Sequence, residues 1–387
     1  MIMRKVKFGN IVREVKVNID RTHNPYDFYV AGDHMDSEEL TIRRKGRFAT
    51  DDVGPAFIRL FKPGQVLYGS RRTYLKKVAV ADFTGITANT TFVLETKDDN
   101  IFPQRLLPFL ILSDSFTEWS VKKSKGSTNP YVLFSDLADF EFNLPPIEEQ
   151  RKLADLLWSA YDLKESYKRL LAASNELAKS RFVEMFDNEQ YPTETIKSIC
   201  KIVTDGTHQP PRFVDAGIPF LFVSNIVDNA LTYETSKFIS EKDYTELIKR
   251  TPIELGDLLL SIVGSYGNPA IVRSTKPFCF QRHLAYLKPN RASVVPEYLH
   301  AAFLSSNVKE QIERRVKGIA QKTLNLSELK SIEIPLPPIS LQNEFAAFVE
   351  QLDKSKVALQ KCIKALDDTI KTLLHNYFFE NEEKNNA

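Results

Sequence analysis

Leu144-Pro145-Pro146-Ile147-Glu148-Glu149-Gln150 returns as Leu336-Pro337-Pro338-Ile339-Ser340-Leu341-Gln342, and each copy opens a long stretch without proline or glycine. The residue before a proline is pushed out of the α region, so each double proline blocks helix ahead of it and leaves the chain free to wind after it. Residues 148–186 and 340–378 are therefore predicted as two long helices. At 1.5 Å per residue, about 39 residues reach roughly 58 Å. In the first, Leu156, Ala160, Leu163, Tyr167, Leu170, Ser174 and Leu177 alternate in steps of four and three. In the second, Phe348, Leu352, Ser355, Leu359, Cys362, Leu366, Thr369 and Leu373 do the same in equivalent phase. A seven-residue repeat held this long predicts an elongated helix pair rather than a helix lying on a small core. Leu153, Leu157, Leu171, Phe182, Phe345, Val349, Ile363, Ile370 and Leu374 widen the apolar stripe, leaving surface for other helices of this chain or of a partner.

The repeat extends beyond the helices. Residues 124–186 return without a gap 192 positions later as 316–378, so that Gly126, Leu137 and Ala154 meet Gly318, Leu329 and Ala346. Upstream, the same offset sets Gly64, Leu67 and Tyr74 against Gly256, Leu259 and Tyr266, and Asn89 against Gln281. Two copies of one large unit predict internal pseudo-twofold symmetry and two similar surfaces for a partner that is itself twofold. Ahead of each helix, short apolar or β-branched runs are broken by Gly, Pro, Asn and Asp. Residues 78–80, 91–94, 220–223, 257–263 and 270–272 are predicted strands of mixed, loop-rich domains. Residues 103–113 and 296–305 are predicted short helices, each opened by a proline.

With 387 residues the chain divides into at least two domains. Its 43% apolar and 26% charged residues are ordinary for soluble protein, and a net charge of +2 is too small to establish a nucleic-acid partner. Cys200, Cys279 and Cys362 have no CxxC spacing, which speaks against structural zinc and a disulfide framework. The charged start and the lack of any eighteen-residue apolar run predict a soluble cytoplasmic protein. No GxGxxG or GxxxxGK[ST] loop and no HExxH occurs, so nothing announces a nucleotide cradle or a metal site. Asn24-Pro25-Tyr26 and Asn129-Pro130-Tyr131 resemble part of the motif that amino-methyltransferases use around a flipped base, but lack its second proline.

Between 148 and 186 the seven basic residues are matched by seven acidic ones, unlike a DNA-binding basic helix. Positive charge gathers instead in the globular parts, at Arg43, Arg44, Lys45 and Arg47 and at Arg71, Arg72, Lys76 and Lys77 beside Tyr74. These clusters read either as DNA-facing or as solvated. The richest segment is Thr204-Asp205-Gly206-Thr207-His208-Gln209-Pro210-Pro211-Arg212, followed by a run that ends at Asn225. Its hydrogen-bonding side chains suit phosphates and base edges. Equally, Asp205 and Thr207 can close a local turn and Asn225 can end a strand. A second cluster holds Tyr266, Asn268, Arg273, Gln281, Arg282 and His283.

With these residues in hand, the chain resembles the specificity subunits of type I restriction–modification systems over nearly its whole length. Thr204 to Ile226, the Gly264–Asn268 turn and Gln281-Arg282-His283 are similar to one target recognition domain. The two Leu-Pro-Pro-Ile-x-x-Gln junctions, each preceded by a Lys-Gly pair, are similar to the family's conserved regions. The resemblance implies an α+β fold: two mixed α/β target recognition domains separated by a pair of long antiparallel conserved helices, with an internal pseudo-twofold repeat. The expected boundaries are 1–143 and 190–335 for the recognition domains, 144–189 and 336–380 for the helices with a connector, and 381–387 for a flexible tail. It implies a non-catalytic subunit in which each domain reads half of a bipartite, asymmetric double-stranded DNA target.

By the same resemblance, the helices set half-site spacing and dock two modification (methyltransferase) subunits. S-adenosylmethionine belongs to those subunits, and ATP and magnesium to restriction/translocase subunits; this chain binds no cofactor. Thr207, His208, Gln209, Arg212, Asn225, Tyr266, Asn268, Arg273, Gln281, Arg282 and His283 are the candidate DNA contacts of the second domain. Gly126, Gly318, Gln150 and Gln342 are the candidate docking residues, although both glycines can equally do no more than shape a turn. The first domain departs from the pattern, since MRKVKFGNIVREVK stands where a DGTH-like segment is expected. Two other readings stay open: an enzyme that itself cuts or methylates DNA, and a symmetric protein-binding scaffold.

Overall fold

The computed structural model describes residues 4–20, 23–187, 191–318 and 321–379. The expected tail at 381–387 and the domain boundary at 189–190 lie outside them. The two long helices span Ile147–Phe186 and Ile339–Phe378, each starting one residue earlier than predicted, directly after its double proline. The chain folds into two compact units. Unit 1 combines Met1–Lys168 with Gln360–Ala387 and unit 2 is Arg169–Leu359, so each takes in half of both long helices.

Unit 1 is built on an antiparallel four-stranded sheet in the order Val12–Glu14, Thr91–Thr96, Val66–Gly69, Val78–Val80. A second four-stranded sheet runs Gly46–Arg47, Phe28–Val30, Gly85–Ala88, Phe57–Phe61, with Phe28–Val30 and Gly85–Ala88 parallel. The N-terminal strand Arg4–Lys7 pairs with Glu141–Leu144 just ahead of the double proline. Helix Asp114–Lys123 covers the first sheet, with Phe116 against Phe8, Tyr68 and Phe140. The predicted helix at 103–113 is a 3₁₀ turn, Gln104–Leu106, followed by Leu107–Leu112. Pro108 explains the break: it lacks an amide donor and is accommodated only in a first helical turn.

Unit 2 repeats the plan. Its first sheet runs Cys200–Asp205, Leu284–Pro289, Leu258–Ser261, Pro269–Ile271. Strand Thr193–Thr195 pairs with Glu333–Pro335 ahead of the second double proline. Its second sheet contains Phe213–Val214, Phe238–Ile239, Ile218–Leu221 and Cys279–Phe280, the last two parallel. The strand expected at 220–223 stops at Leu221 because Val223–Asn225 turns into 3₁₀ geometry.

The parallel pairs also correct one equivalence. Tyr29 faces Ile86 where Phe220 faces Cys279, and Val30 faces Thr87 where Leu221 faces Phe280. The repeat offset is one residue shorter in Phe28–Val30 and one residue longer in Gly85–Ala88 than in the helices, so Asn89, just after the latter strand, corresponds to Arg282 rather than Gln281.

Each unit closes its core with the far end of a long helix. In unit 1 Leu153 and Leu157 from the start of the first helix pack with Leu374 and Phe378 from the end of the second. Phe378 meets Phe142 edge-on at 5.5 Å. In unit 2 Phe182 and Phe186 from the end of the first helix meet Phe345 near the start of the second, each ring pair at 5.6 Å. The helix segments therefore run antiparallel within each unit. Phe186 and Phe378 are repeat equivalents, and full burial of such a side chain stabilises by about 1.5–3 kcal/mol.

The expected helix seam is half wrong. Ala160 and Tyr167, with Leu352, Leu359, Leu366 and Leu373 on the second helix, are buried or half-buried, but Leu156, Leu163, Leu170 and Leu177 are between 43% and 52% exposed. Ser355, Cys362 and Thr369 are exposed too. The inner column lies one position further on, at Leu157, Lys164, Leu171 and Ala178 and at Val349, Lys356, Ile363 and Ile370. A lysine hides that column from a hydrophobic reading. Lys164 is only 6% exposed and its ammonium pairs with Asp367 at 2.7 Å.

Candidate nucleic-acid interface

In unit 2 the strand Cys200–Asp205 delivers the polar loop to the open edge of Cys279–Phe280. Thr207 N–H donates to the Phe280 carbonyl at 3.1 Å and Arg282 N–H to the Thr207 carbonyl at 3.0 Å. Gly206 is required there by space, since a Cβ would lie 2.2 Å from the Phe280 carbonyl oxygen. Thr207 Oγ1 donates to the Gln209 carbonyl at 2.9 Å and closes the turn. Asp205 closes none. Its carboxylate is buried, with one oxygen on Arg250 and the other 2.9 Å from His208 Nε2.

This stapling brings His208, Gln209, Gln281 and Arg282 together, with Arg212 further along the loop; Gln281 is half-buried and the others exposed. No side-chain hydrogen bond of Gln209, Arg212, Gln281 or Arg282 occurs among the described residues. His283 is half-buried, and burial, followed by the charge of Arg282, holds its pKa below the ordinary histidine value.

Other expected contacts have structural work instead. Asn225 is 4% exposed; its Oδ1 accepts from Phe222 N–H and its Nδ2 donates to the Thr232 and Glu234 carbonyls, so it leaves the contact set. Asn268 braces its own turn by donating to Ser261 Oγ at 3.2 Å and Ser265 Oγ at 3.0 Å. Arg273 is drawn to Glu297 and, at 2.9 Å, to Asp353 on the second long helix. The Tyr266 hydroxyl donates to Glu313 at 2.9 Å and accepts from Lys322 at 3.3 Å.

In unit 1 the sequence clusters do not form one free patch. Arg43 pairs with Glu39 and Glu165, and Lys168 pairs with the same two carboxylates. Arg44 pairs with Asp36, and Lys77 donates to the Gly32 carbonyl. Lys76 is nearly covered: burial pulls its pKa down, but Asp114 at 2.6 Å and Glu38 at 3.3 Å outweigh that and hold it above the ordinary lysine value. Lys45 lies 3.8 Å from the Phe28 ring centre and Arg47 5.2 Å from it, a shared cation–π platform. Arg71, Arg72 and the 55% exposed Tyr74 remain open to solvent. Sequence reasoning could not see these pairs, because Glu165 and Asp114 lie far along the chain from the cations that they neutralise. It also missed Arg250, whose only sequence signal is a Lys-Arg pair after an amphipathic turn.

At the junctions, Gln150 and Gln342 are corrected from docking surface to internal lock. They are 1% and 0% exposed, and their Nε2 groups donate to the Pro145 and Pro337 carbonyls at 2.7 and 2.8 Å. The glycine loops are equivalent in frame: Lys125 and Tyr131 exchange backbone hydrogen bonds, as do Lys317 and Thr323. They differ in space. Both glycines have left-handed φ, but a Cβ at Gly126 would meet nothing within 4 Å, whereas at Gly318 it would lie 2.3 Å from the Gln321 carbonyl oxygen.

The family described as type I restriction modification DNA specificity domain matches residues 59–172 and 188–366. The polar loop and Gln281–His283 fall inside the matched stretches; Arg43–Arg47 fall outside. The chain is 28% identical over 370 residues to the type I restriction enzyme MjaIX specificity subunit of Methanocaldococcus jannaschii, covering 88% of this chain and 83% of that one. It is 33% identical over 147 residues to the EcoBI specificity subunit of Escherichia coli, covering 38% of this chain and 31% of the relative. Among solved structures, the S subunit of a type I restriction–modification system from M. genitalium superposes with a TM-score of 0.57 at 16% identity, covering 98% of this chain and 96% of that one. With both of its repeats matched and its fold shared, the chain belongs to the type I restriction–modification DNA specificity family, which supplies sequence recognition and leaves catalysis to partner subunits.

Proposed function

We propose that each unit reads one half of a bipartite, asymmetric DNA target, and that the observation carrying this is one frame with two different edges. Both units share the strand order of their main sheet, yet the edge beside the parallel pair holds a polar loop in one and a largely apolar strand in the other. Two scaffolds alike with contact edges unlike suit two different half-sites. In unit 2, His208, Gln209, Gln281 and Arg282 are the base-reading group, and Arg212 a phosphate contact. In unit 1, Arg71, Arg72 and Tyr74 are the contact group, with Lys45 and Arg47 as further contacts.

The long helices set half-site spacing and dock two methylation subunits, which hold S-adenosylmethionine. The exposed Leu156, Leu163, Leu170 and Leu177, one per two turns of the first helix, support that docking face. The Gly126 and Gly318 loops lie beside it in each repeat's sequence. Restriction subunits with ATP and magnesium complete the assembly in the cytoplasm. Mapping adenine methylation at base resolution in cells with and without this chain tests the reading. The account expects a split motif that disappears with the chain; a motif that persists contradicts it.

A further inference from the structure

In unit 2 one arginine outside the base-reading group stands directly beside it. Arg250 lies in the turn after the helix Glu241–Leu247, which is seated on the second sheet through Tyr244 and Leu247. Its guanidinium donates from Nη2 to one oxygen of Asp205, a carboxylate only 7% exposed. The same edge of the guanidinium donates to Thr204 Oγ1, from Nη2 at 3.1 Å and from Nε at 3.3 Å. Thr204 and Asp205 close the strand Cys200–Asp205, which pairs with Leu284–Pro289, so both anchors are fixed by the sheet. The other oxygen of Asp205 lies 2.9 Å from a ring nitrogen of His208, which sets Arg250 and His208 on either side of one carboxylate. Both side chains are more than half exposed, at 52% and 53%.

A guanidinium is planar, so fastening its Nε–Nη2 edge inward leaves Nη1 on the opposite edge. Nη1 makes no hydrogen bond among the described residues and keeps two N–H donors. Two acceptors already hold the group, so it has little side-chain freedom left to lose when it meets a ligand. Its charge is balanced by Asp205, so it gains less from a phosphate than the exposed Arg212, which has no acidic partner among the described residues. We infer that Arg250 is a specificity-determining residue of the second half-site, a guanidinium braced by the strand end so that it reads guanine. Guanine is the base whose major-groove edge carries two acceptors, N7 and O6, and no donor, which matches a group that only donates. The inference rests on the reading of this loop as DNA-facing, and adds to it one residue and the base that it selects.

The test is selection of binding sites from DNA randomised over the second half-site, with the full chain assembled with its methylation subunits. The unaltered chain is expected to select guanine at the position that Arg250 reads. Arg250→Gln is expected to relax that position about tenfold, leaving the other positions and the salt slope of binding unchanged. Thr204→Val removes one anchor and keeps a β-branched residue in the strand; it is expected to weaken the same preference about threefold. All targets weakened alike, with a salt slope lower by about 1, would make Arg250 a phosphate contact and overturn the inference. So would an unchanged motif in a variant that has only lost stability, since that is the mark of a brace for Asp205. Full guanine preference in Thr204→Val would overturn the claim that the strand end holds the guanidinium for reading.

Should Arg250→Gln fail to fold, Arg250→Lys carries the test, because an ammonium still balances Asp205 but cannot present the outward edge of a guanidinium. Loss of the guanine preference in that variant supports the inference, and an unaltered motif overturns it. If Arg250→Gln keeps the motif while His208→Ala or Gln281→Ala relaxes a position, the inference fails and the reading of this loop stands. If none of the three alters the motif while exchange of residues 190–315 changes half of it, the loop reading fails as well.

Discussion

In unit 1 the strand Phe57–Phe61 lies along the edge of Gly85–Ala88, with Leu60 opposite Ile86, whereas in unit 2 the matching edge of Cys279–Phe280 takes Gly206 and Thr207. This explains why the first repeat has no DGTH-like segment: an apolar strand already satisfies that edge, leaving no backbone donors or acceptors for a loop to staple. The main sheet beneath is the same in both. A duplicated fold thus keeps the parts that hold it together and diverges where a strand edge is free to choose its neighbour. The same contrast recurs at a turn. Gln65 in unit 1 and Asp257 in unit 2 accept from the backbone N–H three residues earlier, but one is a neutral amide and the other a carboxyl.

The largest effects come from breaking either edge. Gly206→Val forces a side chain against the Phe280 carbonyl and is expected to cost unit 2 about 3 kcal/mol. Leu60→Ala, at an 8% exposed position, is expected to cost unit 1 about 3 kcal/mol through the cavity it leaves. Denaturant unfolding of each variant measures the loss, and methylation mapping should show a different half-site weakened by each. If both variants weaken the same half-site, the edges do not serve separate readers.

The glycine loops sharpen the comparison next. Gly318→Ala meets a backbone oxygen as well as an unfavourable φ, and is expected to cost about 3 kcal/mol. Gly126→Ala meets only the φ and is expected to cost about 1 kcal/mol. Equal midpoints for the two variants would remove the spatial difference.

Arg71→Ala and Arg72→Ala follow. Each is expected to weaken all DNA targets alike and to lower the salt slope of binding by about 1, as loss of one phosphate contact does. A change confined to one target base would make that arginine a base reader instead.

The smallest effect concerns pH. Burial raises the Asp257 carboxyl above the ordinary range, more than its hydrogen bond from Tyr286 lowers it. The folded state therefore binds that proton more tightly than the unfolded chain, and the stability linked to it is lost as pH rises through the folded value. Asp257→Asn should remove that loss, so its stability relative to the unaltered chain should be greater at pH 8 than at pH 5. Gln65→Glu should introduce the same loss in unit 1. Thermal unfolding at both pH values decides the sign.

The frame was legible in the sequence because double prolines, a gap-free repeat and long proline-free runs are local signals. The helix seam was legible only in one column. Leu156 and Leu157 stand side by side, as do Leu170 and Leu171, so hydrophobicity alone cannot choose between them, and Lys164 sits where an apolar residue is expected. The polar loop was visible as a cluster of residue types. What each residue does was not, because Asp205 finds Arg250 and Arg43 finds Glu165 only after folding. Asn225, Gln150 and Gln342 show the same limit: an amide reads as a surface contact until its hydrogen bonds are seen to be internal.

The central claim is that the two units read independently on a common frame. Exchanging residues 190–315 for the corresponding domain of a divergent relative, and mapping adenine methylation in cells that carry the chimaera with its partner subunits, tests it most directly. The account predicts a new sequence in one half of the motif, with the other half and the spacing retained. A change in both halves would contradict it.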